Sequence, residues 1–309
     1  MVRVLYALVP LVLAAIYFFG WRFLAVLALV TVAGVLAEYL VARAYGMKLT
    51  SSVLVTSFLF ALSLPPTIPF WIAVVGIVFG VIFGKMVFGG FGKNVFNPAI
   101  SGRAFIYVSF GVPLTGRFVP TVGGTVFGGF AAWAPQTDAL SSATPLVVQA
   151  QGGEVPLMDL FVGNTAGSFG ETSAILILLG GAYLVWKKTA NWQYIASSVL
   201  AFLALSAALF YSGVQGAIDP VRAIFSGSFL FAAVFMITEP VSASQTTTLG
   251  RWIYGIIIGV LTVLIRVFAG WPEGVTFAIL FGNMFAPLID HLIKEQKQKQ
   301  KQKRKAAAA

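Results

Sequence analysis

Long apolar runs alternate along the chain with short breaks of polar, proline or glycine residues. A helix needs about 20 predominantly apolar residues to cross the hydrocarbon core of a bilayer, and about ten runs suit that role. They lie at about residues 4–19, 23–42, 51–64, 69–88, 99–112, 172–186, 193–211, 222–238, 252–268 and 274–292. The pattern therefore predicts an all-α integral membrane protein with about ten transmembrane helices.

The two halves of the chain repeat each other. "SFLFAL" at 57–62 recurs as "SFLFAA" at 228–233, and "NVFNPAI" at 94–100 recurs as "NMFAPLI" at 283–289. Five helices in each half would invert the second copy relative to the first. The repeat predicts two pseudo-symmetric five-helix halves, an arrangement that often places a ligand or a pathway at the junction.

Three glycines in the fourth apolar run share a four-residue spacing. They are Gly76, Gly80 and Gly84. Residues four apart lie on one face of a helix, and small residues let membrane helices approach closely. We expect this face to pack against another helix.

The runs and breaks divide the chain into four segments. Residues 1–112 form the first five-helix half, 113–171 a Gly-rich extracytoplasmic loop, 172–293 the second half and 294–309 a basic tail. The tail holds seven basic residues and one acid, so it contributes six of the ten net positive charges. Its low complexity predicts a disordered cytoplasmic anchor beside anionic lipid. No folded basic surface accompanies it, so no nucleic-acid partner is expected.

Composition agrees with a membrane location and narrows the chemistry. The chain is 59% hydrophobic and 10% charged, whereas soluble domains are about 25% charged. The absence of cysteine excludes disulfides, thiolate zinc sites and Cys-ligated iron–sulfur clusters. The single histidine, His291, does not suit a bis-His haem or a His-rich metal site. We therefore predict no metal site.

Loop charges predict the orientation. With the N-terminus in the cytoplasm, most basic residues between the runs fall inside, and the acids of the loops fall outside, as the positive-inside rule expects. The inside set is Arg43, Lys48, Lys85, Lys93, Arg103, Lys187, Lys188 and Arg251. Both termini are therefore predicted in the cytoplasm. Arg103, Arg222 and Arg251 are interpreted as interfacial anchors.

The loop at 113–171 contains the longest polar interval of the chain. Its "TVGGTVFGGF", "DALSSATPL" and "GNTAGSFGETS" stretches are rich in glycine, serine and threonine. Exposed backbone N–H groups and hydroxyls suit an anion such as a phosphate. The alternative is a flexible connector whose turns need glycine, and composition alone favours that alternative.

Three motifs resemble the RnfD/NqrB family of membrane subunits. "DALSSATPL" at 138–146 is similar to the family's flavinylation motif, in which a threonine is esterified to FMN phosphate. "KNVFNPAISGRAF" at 93–105 and "GNMFAPLID" at 282–290 resemble the family in sequence and in order. The resemblance runs from about residue 40 to 292. Ser142 stands where the family usually has glycine.

The resemblance implies that Thr144 carries covalent FMN, attached by a separate flavin transferase. Asp138, Ser141, Ser142 and Ala143 would then belong to the surrounding motif. The alternative for Asp138 is an ordinary turn acid. Attachment through the hydroxyl leaves the isoalloxazine ring free for one-electron chemistry.

The resemblance also implies a second, non-covalent flavin, riboflavin, within the helical bundle. Asn94 and Asn97 match family positions near it. Side-chain amides donate and accept hydrogen bonds, and they are costly at membrane depth unless satisfied. Their alternative role is to cap a helix before Pro98. Glu239, in "TEPVSAS", stands where the family usually has aspartate; it is a candidate for cation or flavin contact, or a membrane-boundary acid.

The expected function is that of an electron-transfer subunit in an ion-translocating oxidoreductase complex. Electrons would pass from covalent FMN to riboflavin, coupled to Na+ or H+ transport between ferredoxin and NAD+, as in an Rnf complex. The first run begins at about residue 4, without the long cytoplasmic extension of the quinone-reducing subunit, so we prefer Rnf. No residue of this chain is assigned a catalytic role.

Two alternatives remain open. One is the B-type subunit of a Na+-translocating NADH:quinone oxidoreductase, and the other is a flavin-free secondary transporter or channel. The expected partners are the other membrane and peripheral Rnf subunits, including a second FMN-bearing subunit, together with the transferase and lipid. The expected location is the cytoplasmic membrane of a bacterium or archaeon.

Overall fold

The computed structural model describes residues 1–115, 118–122, 127–134, 143–244, 247–269, 271 and 274–308. Within these ranges all regular structure is helical. The first half contains α1 (Val2–Phe19), α2 (Arg22–Ala44), α3 (Ser52–Leu62), α4 (Phe70–Val81) with a π-helical turn (Ile82–Met86), α5 (Pro98–Ser109) and the short α6 (Gly111–Thr115). Asp138, Ser141 and Ser142 lie outside the described residues.

The loop and the second half continue this series. They contain a 3₁₀ turn (Gly128–Ala131), α7 (Pro145–Ala150), α8 (Leu157–Val162), α9 (Ala174–Trp186), α10 (Trp192–Tyr211), α11 (Pro220–Phe225), α12 (Phe229–Phe231) with a second π-helical turn (Ala232–Met236), α13 (Thr248–Phe268) and α14 (Val275–Ala308). Every predicted run coincides with helical structure.

Five helices of the described chain are long and apolar enough to cross a membrane by length and composition. They are α1, α2, α10, α13 and α14. Shorter apolar helices fill several of the other predicted positions. The prediction of an all-α, multi-pass membrane protein is therefore confirmed.

Helix packing follows the internal repeat. In the first half α2 packs against α4, and α4 packs against α5. In the second half α10 packs against α13, and α13 packs against α14. These pairs are the equivalents that two copies of one five-helix unit would have.

The predicted glycine face of α4 packs closely against α5. A Cβ added to Gly80 would overlap the carbonyl oxygen of Pro98, and one added to Gly84 would lie 3.0 Å from Pro98 Cα. A Cβ on Gly76 would lie 2.8 Å from Ile106 Cγ2. The packing prediction is confirmed, because no larger residue fits at this distance.

The eighth predicted run, 222–238, is broken rather than continuous. α11 ends at Phe225, and Gly227 has φ 71°, a left-handed conformation that glycine adopts without strain. A break inside a membrane frees backbone carbonyls that need partners. Arg266 of α13 supplies them, donating to Ala223 O at 3.1 Å and to Ser226 O at 3.2 Å.

The basic tail is helical where the sequence predicted disorder. α14 continues without interruption to Ala308. Lysine, glutamine and alanine favour helix, and Glu295 pairs with Lys299 one turn later at 2.6 Å. No glycine or proline follows Pro287 to end the helix.

Part of the loop packs on the junction of α1 and α2. Trp21 N donates to Ala132 O at 3.1 Å, and Arg22 N donates to Trp133 O at 2.7 Å. The indole N–H of Trp21 donates to Phe130 O at 2.8 Å. This segment of the loop is therefore fixed to the helical bundle just before the "DALSSATPL" motif.

Candidate functional site

The candidate residues lie at two ends of the bundle, and α1 relates them. Met1 and Val4, at the start of α1, line a cavity with Asn94 and Glu239. Gly20, after the end of α1, packs against the loop segment 127–134. We call these the near end and the far end. Eighteen helical residues separate them, or about 27 Å at 1.5 Å per residue.

At the near end, Asn94 and Glu239 come together from the two halves. Asn94 Nδ2 donates to Glu239 Oε1 at 3.3 Å and to Phe96 O at 3.0 Å. The Ser242 hydroxyl donates to the other carboxylate oxygen of Glu239. Burial raises the pKa of the Glu239 carboxyl to about 7, against the opposing effect of these two hydrogen bonds. Glu239 can therefore take up or release a proton near neutral pH.

Asn97 uses its amide within the protein. Its Oδ1 accepts from Ala99 N at 3.0 Å and from Ile100 N at 3.3 Å, so it caps α5. Its Nδ2 donates to Met236 O at 3.4 Å, at the end of the second π-helical turn. These contacts are those of the capping interpretation, and they also tie α5 to the other half.

The sequence reasoning missed Asn283, which the repeat pairs with Asn94. Asn283 is fully buried, and its Oδ1 accepts from Asn97 N at 3.0 Å. Its Nδ2 donates to Tyr254 Oη at 2.7 Å and to Ser242 O at 3.2 Å. The alignment of "NVFNPAI" with "NMFAPLI" held the signal, because it placed an asparagine in both copies.

The near-end cavity has a volume of about 120 Å³ and mixed walls. Polar groups of Asn94, Asn97 and Glu239 share it with apolar side chains. The apolar set includes Val55, Leu59, Phe91, Leu184 and Phe235. Asn94 Oδ1 is buried and has no hydrogen-bond partner in the described part of the chain. An apolar pocket with one unpaired acceptor suits a planar ligand that carries an N–H group.

A buried ion pair adjoins this cavity, and the sequence reasoning missed it too. Lys85 was counted as a loop charge, but it is 1% exposed, and its Nζ lies 2.6 Å from Glu38 Oε2. Lys85 Nζ also donates to Ser52 Oγ at 2.7 Å and to Thr50 Oγ1 at 3.0 Å. Charges inside a membrane protein pair with one another. Two opposite charges within apolar runs were the available signal.

At the far end, Thr144 occupies the N-cap position of α7. Its side chain makes no capping hydrogen bond, and it is partly buried. Ala143, the preceding motif residue, is exposed. The hydroxyl of Thr144 is therefore not committed to the helix that it precedes.

Thr144 lines a narrow cleft between the loop and the broken helix. The other walls are Pro145, Leu146, Thr165, Ala166, Gly167, Glu171, Thr172, Phe225 and Gly227. Gln149 of α7 donates from Nε2 to Ser226 Oγ at 3.1 Å. The break in the eighth run thus forms the seat on which α7 rests.

One of the three predicted arginine anchors is not an anchor. Arg103 is 4% exposed, and it interacts electrostatically with Glu171, so the prediction for it is wrong. A carboxylate in the loop attracts it into the bundle. Arg222 is partly exposed beside Glu154 at 3.6 Å, and Arg251 donates to Gln193 Oε1 at 2.9 Å.

With both sites described, the sequence can be compared with known proteins. Residues 1–299 match the family described as the NQR2, RnfD, RnfE family. The chain belongs to this family. The match extends the resemblance of the three motifs to nearly the whole sequence.

Curated relatives within the NQR2, RnfD, RnfE family carry one name, that of the B-type subunit of Na(+)-translocating NADH-quinone reductase. The chain is 40% identical over 270 residues to the protein of this name from Pseudomonas aeruginosa (strain LESB58), covering 83% of this chain and 63% of the relative. It is 41% identical over 285 residues to the one from Azotobacter vinelandii, covering 88% and 66%. The chain thus spans less than two thirds of the length of these relatives. It is similar to subunits of ion-translocating oxidoreductases.

Proposed function

We propose that this chain is the B-type, electron-transferring subunit of a Na+-translocating NADH:quinone oxidoreductase, with FMN esterified to Thr144 and riboflavin in the near-end cavity. The observation that carries the proposal is the placement of two separate candidate sites at opposite ends of one bundle, each formed by residues of a family motif. Such a placement suits a protein that moves electrons across a membrane.

The relatives support the quinone-reducing complex better than the Rnf complex. The names of the relatives specify NADH, quinone and Na+. The point at which this sequence begins does not separate the two complexes, because the aligned relatives are longer. We therefore favour the quinone-reducing alternative over the ferredoxin-linked expectation. The partners would be the remaining subunits of that complex, in a bacterial cytoplasmic membrane with the far end outside.

The far end fits a phosphoester. Thr144 has an uncapped hydroxyl at the mouth of a cleft that contains further hydroxyls and Gly167. FMN would supply one-electron chemistry there. Thr144 would fix its phosphate, and the packing of α7 on the 226–227 break would set where the ring can reach. Asp138, Ser141, Ser142 and Ala143 would be read during attachment.

The near end fits a neutral flavin without a phosphate. The cavity offers Asn94 Oδ1 as an unpaired acceptor and Glu239 as a group that holds a proton near neutral pH. Its remaining walls are mainly apolar. Asn94 and Glu239 would orient the polar edge of the ring, and Asn97 would hold the cavity in shape through its cap and its bond to Met236.

The test begins with the mass of the peptide that contains Thr144, taken from the intact complex. We expect the mass increment of FMN on this peptide and ultraviolet fluorescence on a denaturing gel. Thr144→Ala is expected to lose both, and Thr165→Ala, a control in the same cleft, to keep both. Unmodified Thr144 in a natively matured complex would overturn the proposal.

The identity of the complex needs a second assay. We expect purified complex to reduce quinone with NADH in a Na+-dependent manner. Reduction of NAD+ by reduced ferredoxin, without quinone reductase activity, would instead assign the chain to an Rnf complex. Acid extraction should release one riboflavin from each chain, and its absence would remove the near-end site from the proposal.

A further inference from the structure

Three charged side chains converge at the far end from different parts of the chain. Arg103 comes from α5 of the first half, Glu171 from the loop, and Arg266 from α13 of the second half. Arg103 and Glu171 are 4% and 6% exposed. Glu171 interacts electrostatically with both arginines. Two positive charges and one negative charge leave this cluster one positive charge in excess.

Arg266 lies directly behind the wall of the Thr144 cleft. Its two terminal nitrogens donate to Ala223 O and Ser226 O, on either side of the turn that leads to Gly227. Gly227 itself lines the cleft with Thr144. A Cβ added to Gly227 would lie 3.3 Å from Arg266 Nη2 and would overlap Leu146 Cδ1. Only the glycine backbone therefore separates the guanidinium from the cleft.

The cluster contains unused hydrogen-bonding atoms. Arg266 Nε is buried without a hydrogen-bond partner among the described residues, and so is Glu171 Oε2. The other oxygen of Glu171 accepts from Ser168 N at 2.8 Å. The Phe202 ring centroid lies 5.3 Å from Arg266 Cζ and covers one side of the guanidinium. A buried charged group with an unpaired N–H is costly unless a further partner completes it.

A threonyl phosphodiester has the chemistry of that missing partner. When threonine and the ribityl chain both esterify one phosphate, a single negative charge remains, which equals the excess of the cluster. Arginine is the side chain best suited to phosphate oxygens, because its planar N–H groups match their geometry. Glu171 would repel the phosphate, and the two arginines offset that repulsion.

We propose that Arg266 holds the phosphodiester of the threonyl flavin at Thr144, with Arg103 and Glu171 setting the local charge to be neutralised. This inference rests on the proposed attachment of FMN to Thr144. It adds a positioning residue that lies far along the chain from the attachment motif, beyond the segment that the transferase would read. Arg266 also secures the helix break on which α7 rests, so phosphate binding and loop docking share one side chain.

The experiment compares flavinylated and unmodified full-length chain, purified with and without co-expressed flavin transferase. Thermal unfolding is measured for wild type, Arg266→Gln, Arg266→Lys and Arg222→Gln, and mass spectrometry gives the modified fraction. Arg222→Gln is the matched control, because Arg222 lies on α11 beside Glu154 and loses the same charge. The quantity compared is the rise in Tm on flavinylation, which cancels the destabilisation that each substitution causes by itself.

We expect flavinylation to raise Tm equally in wild type and Arg222→Gln, by less than half as much in Arg266→Gln, and by an intermediate amount in Arg266→Lys. An equal rise in Arg266→Gln and wild type, or no rise in wild type, would overturn the inference while leaving the flavin in place. If Arg266→Gln does not fold, the same comparison with Arg266→Lys decides, and a full rise there overturns it. Absence of flavin from wild type would instead overturn the proposed function.

Discussion

At the near end the two halves of the protein meet through neutral amides, whereas at the far end they meet around charged groups. Asn97 and Asn283 join the halves directly at the near end, and the ion pair described there, Lys85 with Glu38, is neutral as a pair. The far end has two arginines to one carboxylate. The difference follows the proposed ligands, since riboflavin is neutral and a phosphodiester is an anion.

The comparison predicts its largest effect at the near-end ion pair. Lys85→Met leaves Glu38 buried without its partner, and removing one member of such a pair costs about 3–5 kcal/mol. Glu38→Gln should cost a similar amount, and the double substitution should cost less than the sum of the two. Unfolding in detergent measures the loss. Lys93→Met removes an exposed near-end lysine and serves as the control; equal losses in the two lysine variants would contradict the pairing.

Asn283→Leu should sharpen the contrast between the ends. The substitution leaves Asn97 N without an acceptor, and an unsatisfied buried donor costs about 1–3 kcal/mol. Riboflavin released by acid should fall, while the fluorescence of Thr144-bound flavin on a denaturing gel stays. Equal loss of both flavins would show that the two sites are not independent.

The pH dependence of stability should report Glu239. Its carboxyl pKa is raised from the ordinary value of 4.5 to about 7, chiefly by burial, with Ser242, Asn94 and the charge of Lys85 opposing. The folded protein therefore binds more protons than the unfolded chain between these values, so stability should fall as pH rises from about 4.5 to 7. The fall is at most about 3 kcal/mol. In Glu239→Gln the curve of Tm against pH should be flatter by this contribution, and an unchanged curve would exclude Glu239 as its source.

The smallest effect should come from the exposed far-end pair. Arg222 and Glu154 lie 3.6 Å apart with the glutamate side chain 82% exposed. Surface pairs contribute about 0–1 kcal/mol, so Glu154→Gln should leave Tm nearly unchanged. Salt should have little further effect on this variant. A large loss would mean that Glu154 belongs to the far-end charge cluster.

The sequence predicted what depends on periodicity and repetition. The apolar runs located the helices, and Gly76, Gly80 and Gly84 identified the packed face of α4. The repeat pointed to the junction, and with the family motif it placed Asn94 and Glu239 in one region before the structure showed their hydrogen bond.

The missed features depend on tertiary partners. Lys85 reads as a loop charge until Glu38, 47 positions away, is seen beside it. The break at Ser226 and Gly227 lies within an unbroken apolar run, because the residue that stabilises it is Arg266 on another helix. Arg103 reads as an anchor until Glu171 is placed near it. In each case the decisive group lies far away in the sequence.

The hydrogen bond between Asn97 and Asn283 also limits how the molecule can move. Transporters built from repeats commonly work by rocking one half against the other. Here the backbone of one half is bonded to a buried side chain of the other, and Asn97 is bonded to Met236 as well. A rocking motion must either break this buried network or pivot about it. The near end would then act as a hinge, and displacement would be greatest at the far end.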